Sequence, residues 1–138
     1  MCLIALSVEK SKDWNAKPAY FFNIVANRDE YHDRPTTKMH WWKNKNVLAG
    51  KDEEAGGTWL GTNKDGKFAA LTNLKENTNV KYSVSRGNLV TGFLESELSA
   101  KSYLEEITNE KSEYAGFNLI VGDKDGLFYL CNRLDGIF

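Results

Sequence analysis

A chain of 138 residues that is 41% hydrophobic and 27% charged holds enough apolar material for one packed core and too little length for two domains. Its 18 basic and 19 acidic residues are interspersed and nearly cancel, which excludes the basic face that would bind nucleic acid or anionic lipid through counterion release. The longest apolar runs, residues 2–6 and 20–26, fall far short of a membrane span and follow no charged n-region, so neither an integral membrane segment nor a signal peptide is expected and the address is cytoplasmic by default.

In chain order, residues 2–8 (Cys-Leu-Ile-Ala-Leu-Ser-Val) and 19–26 (Ala-Tyr-Phe-Phe-Asn-Ile-Val-Ala) are rich in β-branched and aromatic side chains. With the polar connection 10–18 between them they predict an antiparallel strand pair. Residues 27–54 contain Arg34-Pro35, Trp41-Trp42 and a short apolar segment, Val47-Leu48-Ala49, closed by Gly50; they read as a long, irregular connection. Residues 58–62 and 67–72 flank Asn63-Lys64-Asp65-Gly66, whose Asp-Gly supplies the positive φ of a hairpin turn.

The period then changes. Leu89, Val90, Phe93 and Leu94, followed by Tyr103, Leu104 and Ile107 behind Ser99 as an N-cap, predict two amphipathic helices. Residues 116–121 and 127–131 flank a second Asp-Gly, Asp125-Gly126, and predict a third hairpin. Hairpins, then helices, then strands again describe an α+β layered domain.

Cys2 follows the initiator Met1, which aminopeptidases remove before a residue this small, so the mature chain would carry a thiol and a free α-amine on one carbon. The amine titrates near pH ~8 and the thiol near ~8.5, so proton transfer between them costs little and the pair is a self-contained base and nucleophile. The plainer reading makes Cys2 a small apolar residue of a buried strand. Arg28 and Asp29 sit where the second strand runs out, beside Cys2 in a hairpin, and a cation there favours thiolate. Regular alternation would point the two to opposite faces unless the strand kinks.

Asn73 ends the second hairpin and can offer its side-chain amide to an oxyanion or simply form a turn. Gly56-Gly57-Thr58-Trp59 lacks both a dinucleotide fingerprint and a P-loop. Asp123-Lys124-Asp125-Gly126 lacks the remaining acidic ligands of a calcium loop, and His32 and His40 have no partner at metal spacing, so no metal is implied. Cys2 and Cys131 form no disulfide framework. Trp41-Trp42 reads as one ring in the core and one at the surface.

Taken together, Met-Cys at the start, Ala26-Asn27-Arg28-Asp29-Glu30, Arg34-Pro35, Leu48-Ala49-Gly50 with Asp52, Gly56-Gly57-Thr58-Trp59-Leu60-Gly61, Ala69-Ala70-Leu71-Thr72-Asn73, Ser85-Arg86-Gly87 and Gly116-Phe117-Asn118-Leu119 resemble the NRDE family, also called the transport and Golgi organization 2 family. The matches are collinear to about residue 133. The resemblance implies one domain, residues 1–138, that is the N-terminal portion of an Ntn-hydrolase-like αββα sandwich similar to bile salt hydrolases and penicillin V acylases. In that setting Cys2 is the nucleophile, Arg28 and Asp29 attend its thiol and amine, and Asn73 donates to the oxyanion. Asn27, Thr58, Trp59 and Asn118, all in the matching motifs, are substrate-binding candidates.

Family members continue further than this chain, so a truncated sandwich is expected. Its two helices suffice for one outer layer, and the uncovered apolar faces would favour self-association into homo-oligomers. The resemblance implies an Ntn-type amidohydrolase acting on a small-molecule linear amide or thioester with no cofactor. The alternative is a non-catalytic protein of haem or acyl-lipid trafficking on the same scaffold, in which Cys2, His32 or His40 would ligate haem iron noncovalently. A third reading is a decayed copy without activity.

Overall fold

The computed structural model describes residues 2–10, 20–77 and 80–138; the connection expected over 10–18 lies outside them apart from Lys10. Strands β1 (Leu3–Lys10) and β2 (Tyr20–Asn27) pair antiparallel, with Leu3 opposite Asn27 and Leu6 opposite Ile24. A second, six-stranded sheet takes β3 (Thr36–Trp41), β4 (Leu48–Asp52), β5 (Leu60–Thr62), β6 (Phe68–Asn73), β7 (Phe117–Asp123) and β8 (Gly126–Cys131) in sequence order, each antiparallel to the next. Helices α1 (Gly87–Glu95) and α2 (Ala100–Glu110) form the connection between β6 and β7.

The expectation of an irregular stretch over residues 27–54 is corrected here, because that stretch contains β3 and β4. Neither has the period-2 pattern by which a strand is read. β3 is an edge strand exposed at every position, with a register shift between Thr37 and His40, and β4 is short and includes Gly50.

The second hairpin forms as read. Gly66 adopts φ +79°, and Asn63 Oδ1 accepts from the backbone N–H groups of Asp65 and Lys67. In the third hairpin the turn is displaced by one residue: Lys124 and Asp125 span it, and Gly126 (φ +151°) already pairs with Asp123. Asp123 holds both sides of this corner, accepting from Asp125 N–H at 2.9 Å and from Ala100 N–H, at the start of α2, at 2.6 Å. A carboxylate at a helix start answers the unpaired N–H groups and the positive end of the dipole. Ser99 caps the same helix through Ser102 N–H, as expected.

Alternation sorts the six-stranded sheet into two faces. Ala69 and Leu71 lie opposite Val121 and Leu119 on one face and pack on Leu89, Val90, Phe93 and Leu94 of α1 and Tyr103, Leu104 and Ile107 of α2. Burying each large side chain contributes roughly 1.5–3 kcal/mol. The Phe93 and Tyr103 rings meet at 5.3 Å, and the Tyr103 hydroxyl donates to Leu89 O at 2.8 Å. Trp42 joins this core, its indole N–H on Ala49 O, while Trp41 stays half in solvent, the division expected of the pair.

The other face, with Ala70 and Thr72 opposite Ile120 and Asn118, confronts Ile4 of β1 across a cavity of about 200 Å³. The described layers therefore run helix, six-stranded sheet, two-stranded sheet. The outward face of the last carries Leu3 at 68% and Val25 at 76% exposure.

Candidate functional site

Cys2 immediately precedes β1, and the register that sets Leu3 against Asn27 brings the end of β2 beside it. Regular strand ends at Asn27, so alternation ends there too, and Arg28, Asp29 and Glu30 all line one cavity of about 510 Å³ together with Cys2. The backbone N–H of Asp29 points at the Cys2 sulfur, 3.5 Å away.

Three other parts of the chain complete the walls. Thr36 to Met39 of β3 and Gly50 to Asp52 of β4 form one side, Gly57-Thr58-Trp59 and the end of β6 (Leu71, Asn73) a second, and Tyr82 with Val84 to Gly87, leading into α1, a third. The last two are in backbone contact: a Cβ on Gly57 would lie 2.8 Å from the carbonyl carbon of Gly87, closer than real atoms come, so a side chain there forces a shift.

Asp52 organises the charged rim. Its Oδ2 accepts from Arg34 Nε at 2.8 Å and lies 3.8 Å from Arg28, while its Oδ1 accepts the N–H groups of Glu54 and Ala55, both at 3.1 Å. Burial alone would push this carboxyl up, but Arg34 and the two backbone donors outweigh it and hold the group below its ordinary value. Arg28 also faces Glu30 at 3.8 Å. Burial pushes the Cys2 thiol up, opposed by the positive charges of the amino terminus and Arg28 and reinforced by Glu30. An elevated thiol needs a base to become a nucleophile.

Of the residues chosen from sequence, Cys2, Arg28, Asp29, Thr58, Trp59 and Asn73 line this cavity. Asn118 lines the smaller inter-sheet cavity, which Cys2 also borders; its amide donates to Thr72 Oγ1 at 3.2 Å and its carbonyl accepts from the Tyr129 hydroxyl at 2.7 Å. Asn27 is exposed and lines neither. Thr58 is buried, with its hydroxyl donating to Leu60 O at 3.1 Å. Cys131 is buried away from both cavities. His32 and His40 are exposed and line neither cavity.

Arg34, Asp52, Tyr82, Ser85 and Arg86 were not among the residues chosen. Asp52 had a local signal in the glycines that follow it, since Asp-x-x-x-Gly-Gly suits an Asx-type turn. Its partner lies 18 residues upstream, and nothing local marks that pairing.

The sequence matches the family described as Transport and Golgi organisation 2 over residues 1–137. It is 43% identical over 112 residues to the human Transport and Golgi organization protein 2 homolog and 41% identical over 112 residues to its mouse counterpart, covering 78% of this chain and 41% of each relative. It is also 39% identical over 89 residues, 57% of this chain and 28% of the relative, to an uncharacterized protein of Saccharomyces cerevisiae. The chain thus matches about two fifths of the length of its mammalian relatives. No helix among the described residues is long and apolar enough to cross a membrane.

Proposed function

The chain belongs to the Transport and Golgi organisation 2 family, and from that premise we propose that it carries an N-terminal-nucleophile site, in the first three layers of an αββα sandwich, that hydrolyses a linear amide or thioester. The observation that carries this reading is the seat of Cys2: the residue that removal of Met1 would leave first in the chain borders a cavity shared with Arg28, Asp29 and Asn73, with Asp29 N–H directed at its sulfur.

The chemistry follows from the groups present. Once Met1 is removed, the α-amine of Cys2 accepts the thiol proton and the sulfur bonds to the substrate carbonyl carbon, whose electron pair moves to oxygen. Asn73 Nδ2–H and a backbone N–H stabilise that oxyanion. The oxyanion collapses, the C–N or C–S bond breaks, the ammonium returns its proton to the leaving group, and water then cleaves the acyl-cysteine by the same path. Arg28 places positive charge near the sulfur, while Asp29 orients the amine.

The test is the intact mass of the purified chain before and after brief treatment with an acylating thiol probe, with the modified residue mapped. Loss of one methionine, labelling of Cys2 faster than Cys131 and faster than in the unfolded chain, and amine release abolished in Cys2→Ser are the expected results. Retained Met1, or labelling no faster than in the unfolded chain, would remove the mechanism.

A second reading, non-catalytic binding of an acyl group, is favoured by the inter-sheet cavity, where Ile4, Ala70 and Ile120 present apolar surface beside Cys2. Binding of an acyl probe that survives Cys2→Ser without turnover would select it.

A further inference from the structure

The cations around the Cys2 cavity differ in how their charge is answered. Arg28 has Glu30 and Asp52 at 3.8 Å, Arg34 has Asp52 at 2.8 Å and Glu54 at 3.4 Å, and Lys51 has Glu53 at 3.0 Å. Arg86, like the exposed Lys38, has no carboxylate within 4.0 Å among the described residues, but it is partly buried and donates through Nη1 to Gly116 O at 2.8 Å. Glu76 is the acidic group that acts on it through space, but both oxygens of Glu76 are already engaged. Oε1 accepts from Arg133 Nε at 2.6 Å, and Oε2 accepts from Gly116 N–H at 2.6 Å and from Arg133 Nη2 at 3.1 Å.

Burial lowers the pKa of the Arg86 guanidinium, with Glu76 opposing. A guanidinium does not give up its proton in a protein, so the charge stays and its desolvation is only partly offset by Glu76, which is the condition an incoming anion relieves. The remaining donors form a planar fork matched to a carboxylate. Trp59, Leu71 and Val84 add apolar surface to the same cavity.

We propose that Arg86 recognises an anionic end of the substrate, so that the molecule processed at Cys2 is a linear amide or thioester with an apolar linker ending in a carboxylate. The class of scissile bond rests on the hydrolase reading above; the recognition of the anion by Arg86 does not.

The experiment measures how fast iodoacetamide alkylates Cys2 in the purified chain, with the site mapped by mass, in the presence of the mono-N-methylamide of adipic acid or of the corresponding neutral diamide. The acid is expected to slow alkylation roughly tenfold more than the diamide, the size of one charge-assisted hydrogen bond. Arg86→Gln loses that difference and Arg86→Lys keeps part of it, with circular dichroism melts confirming that each variant is folded. If Arg86 serves only to tie Gly116 to the start of α1, substitution changes stability and leaves the acid-to-diamide ratio as it was. Equal protection by acid and diamide in the unsubstituted chain, protection by neither, or a ratio unchanged in Arg86→Gln overturns the proposal. Amine release from the same amide separates the two readings: an acid preference that depends on Arg86, without turnover that depends on Cys2, leaves the anion site standing and removes the hydrolase.

Discussion

The two sheets treat similar residues in opposite ways. On the helix-facing side of the six-stranded sheet, Ala69, Leu119 and Val121 are wholly buried, and Phe93 and Leu104 close over them without exposed surface. On the outer face of β1 and β2, Leu3 and Val25 are largely in water. Cohesion therefore resides in the helix-backed layer, while the candidate nucleophile sits on the layer with less holding it. A site assembled between the two depends on contacts that cross from one to the other.

Four substitutions test that contrast, beginning with the largest effect. Phe93→Ala removes a ring from the fully enclosed core and should cost about 3–5 kcal/mol in urea denaturation; a cost near zero would mean the helix layer is not the stable part. Gly57→Ala drives a Cβ against the backbone of Gly87, should cost about 1–3 kcal/mol, and should slow labelling of Cys2 if the wall it distorts shapes the site. Asp52→Asn should cost about 1 kcal/mol or less at neutral pH, as a partly exposed ion pair does. Because the folded protein holds Asp52 below its ordinary 3.8, that contribution is fully present above the ordinary value and is lost as pH falls through the folded one. Thermal melts of the two proteins should therefore converge in acid, and a gap that widens there would refute the assignment. Val25→Thr, on the open face, should stay within about 0.5 kcal/mol; a large loss would show that this face is covered.

The parts of the fold that could be read in the sequence are those whose determinants are local. Asp65-Gly66 carries its own turn chemistry, Ser99 its own cap, and the spacing of Leu89, Val90, Phe93 and Leu94 its own helix face. β3 was missed because an edge strand with both faces in solvent has no reason to alternate. In the site, proximity of Cys2 to Arg28 and Asp29 followed from one hairpin, whereas Asp52 with Arg34 depends on the β3–β4 pairing that sets Thr36 against Asp52, and the approach of Arg86 from the start of α1 on how layers stack. Asn27 illustrates the limit of motif reasoning: it stands one residue before Arg28, on the last rung of β2, and points its exposure elsewhere.

The Asp52 turn has a consequence for amide exchange. The N–H groups of Glu54 and Ala55 end on its carboxylate, that of Gly56 on its carbonyl, and its own N–H on Gly57 O. These amides belong to one small closed loop of bonds, so they should open together rather than singly. Protonating one carboxylate would then quicken exchange across the whole turn, and deuterium uptake at residues 54–56 becomes a local reading of whether the rim of the cavity is assembled.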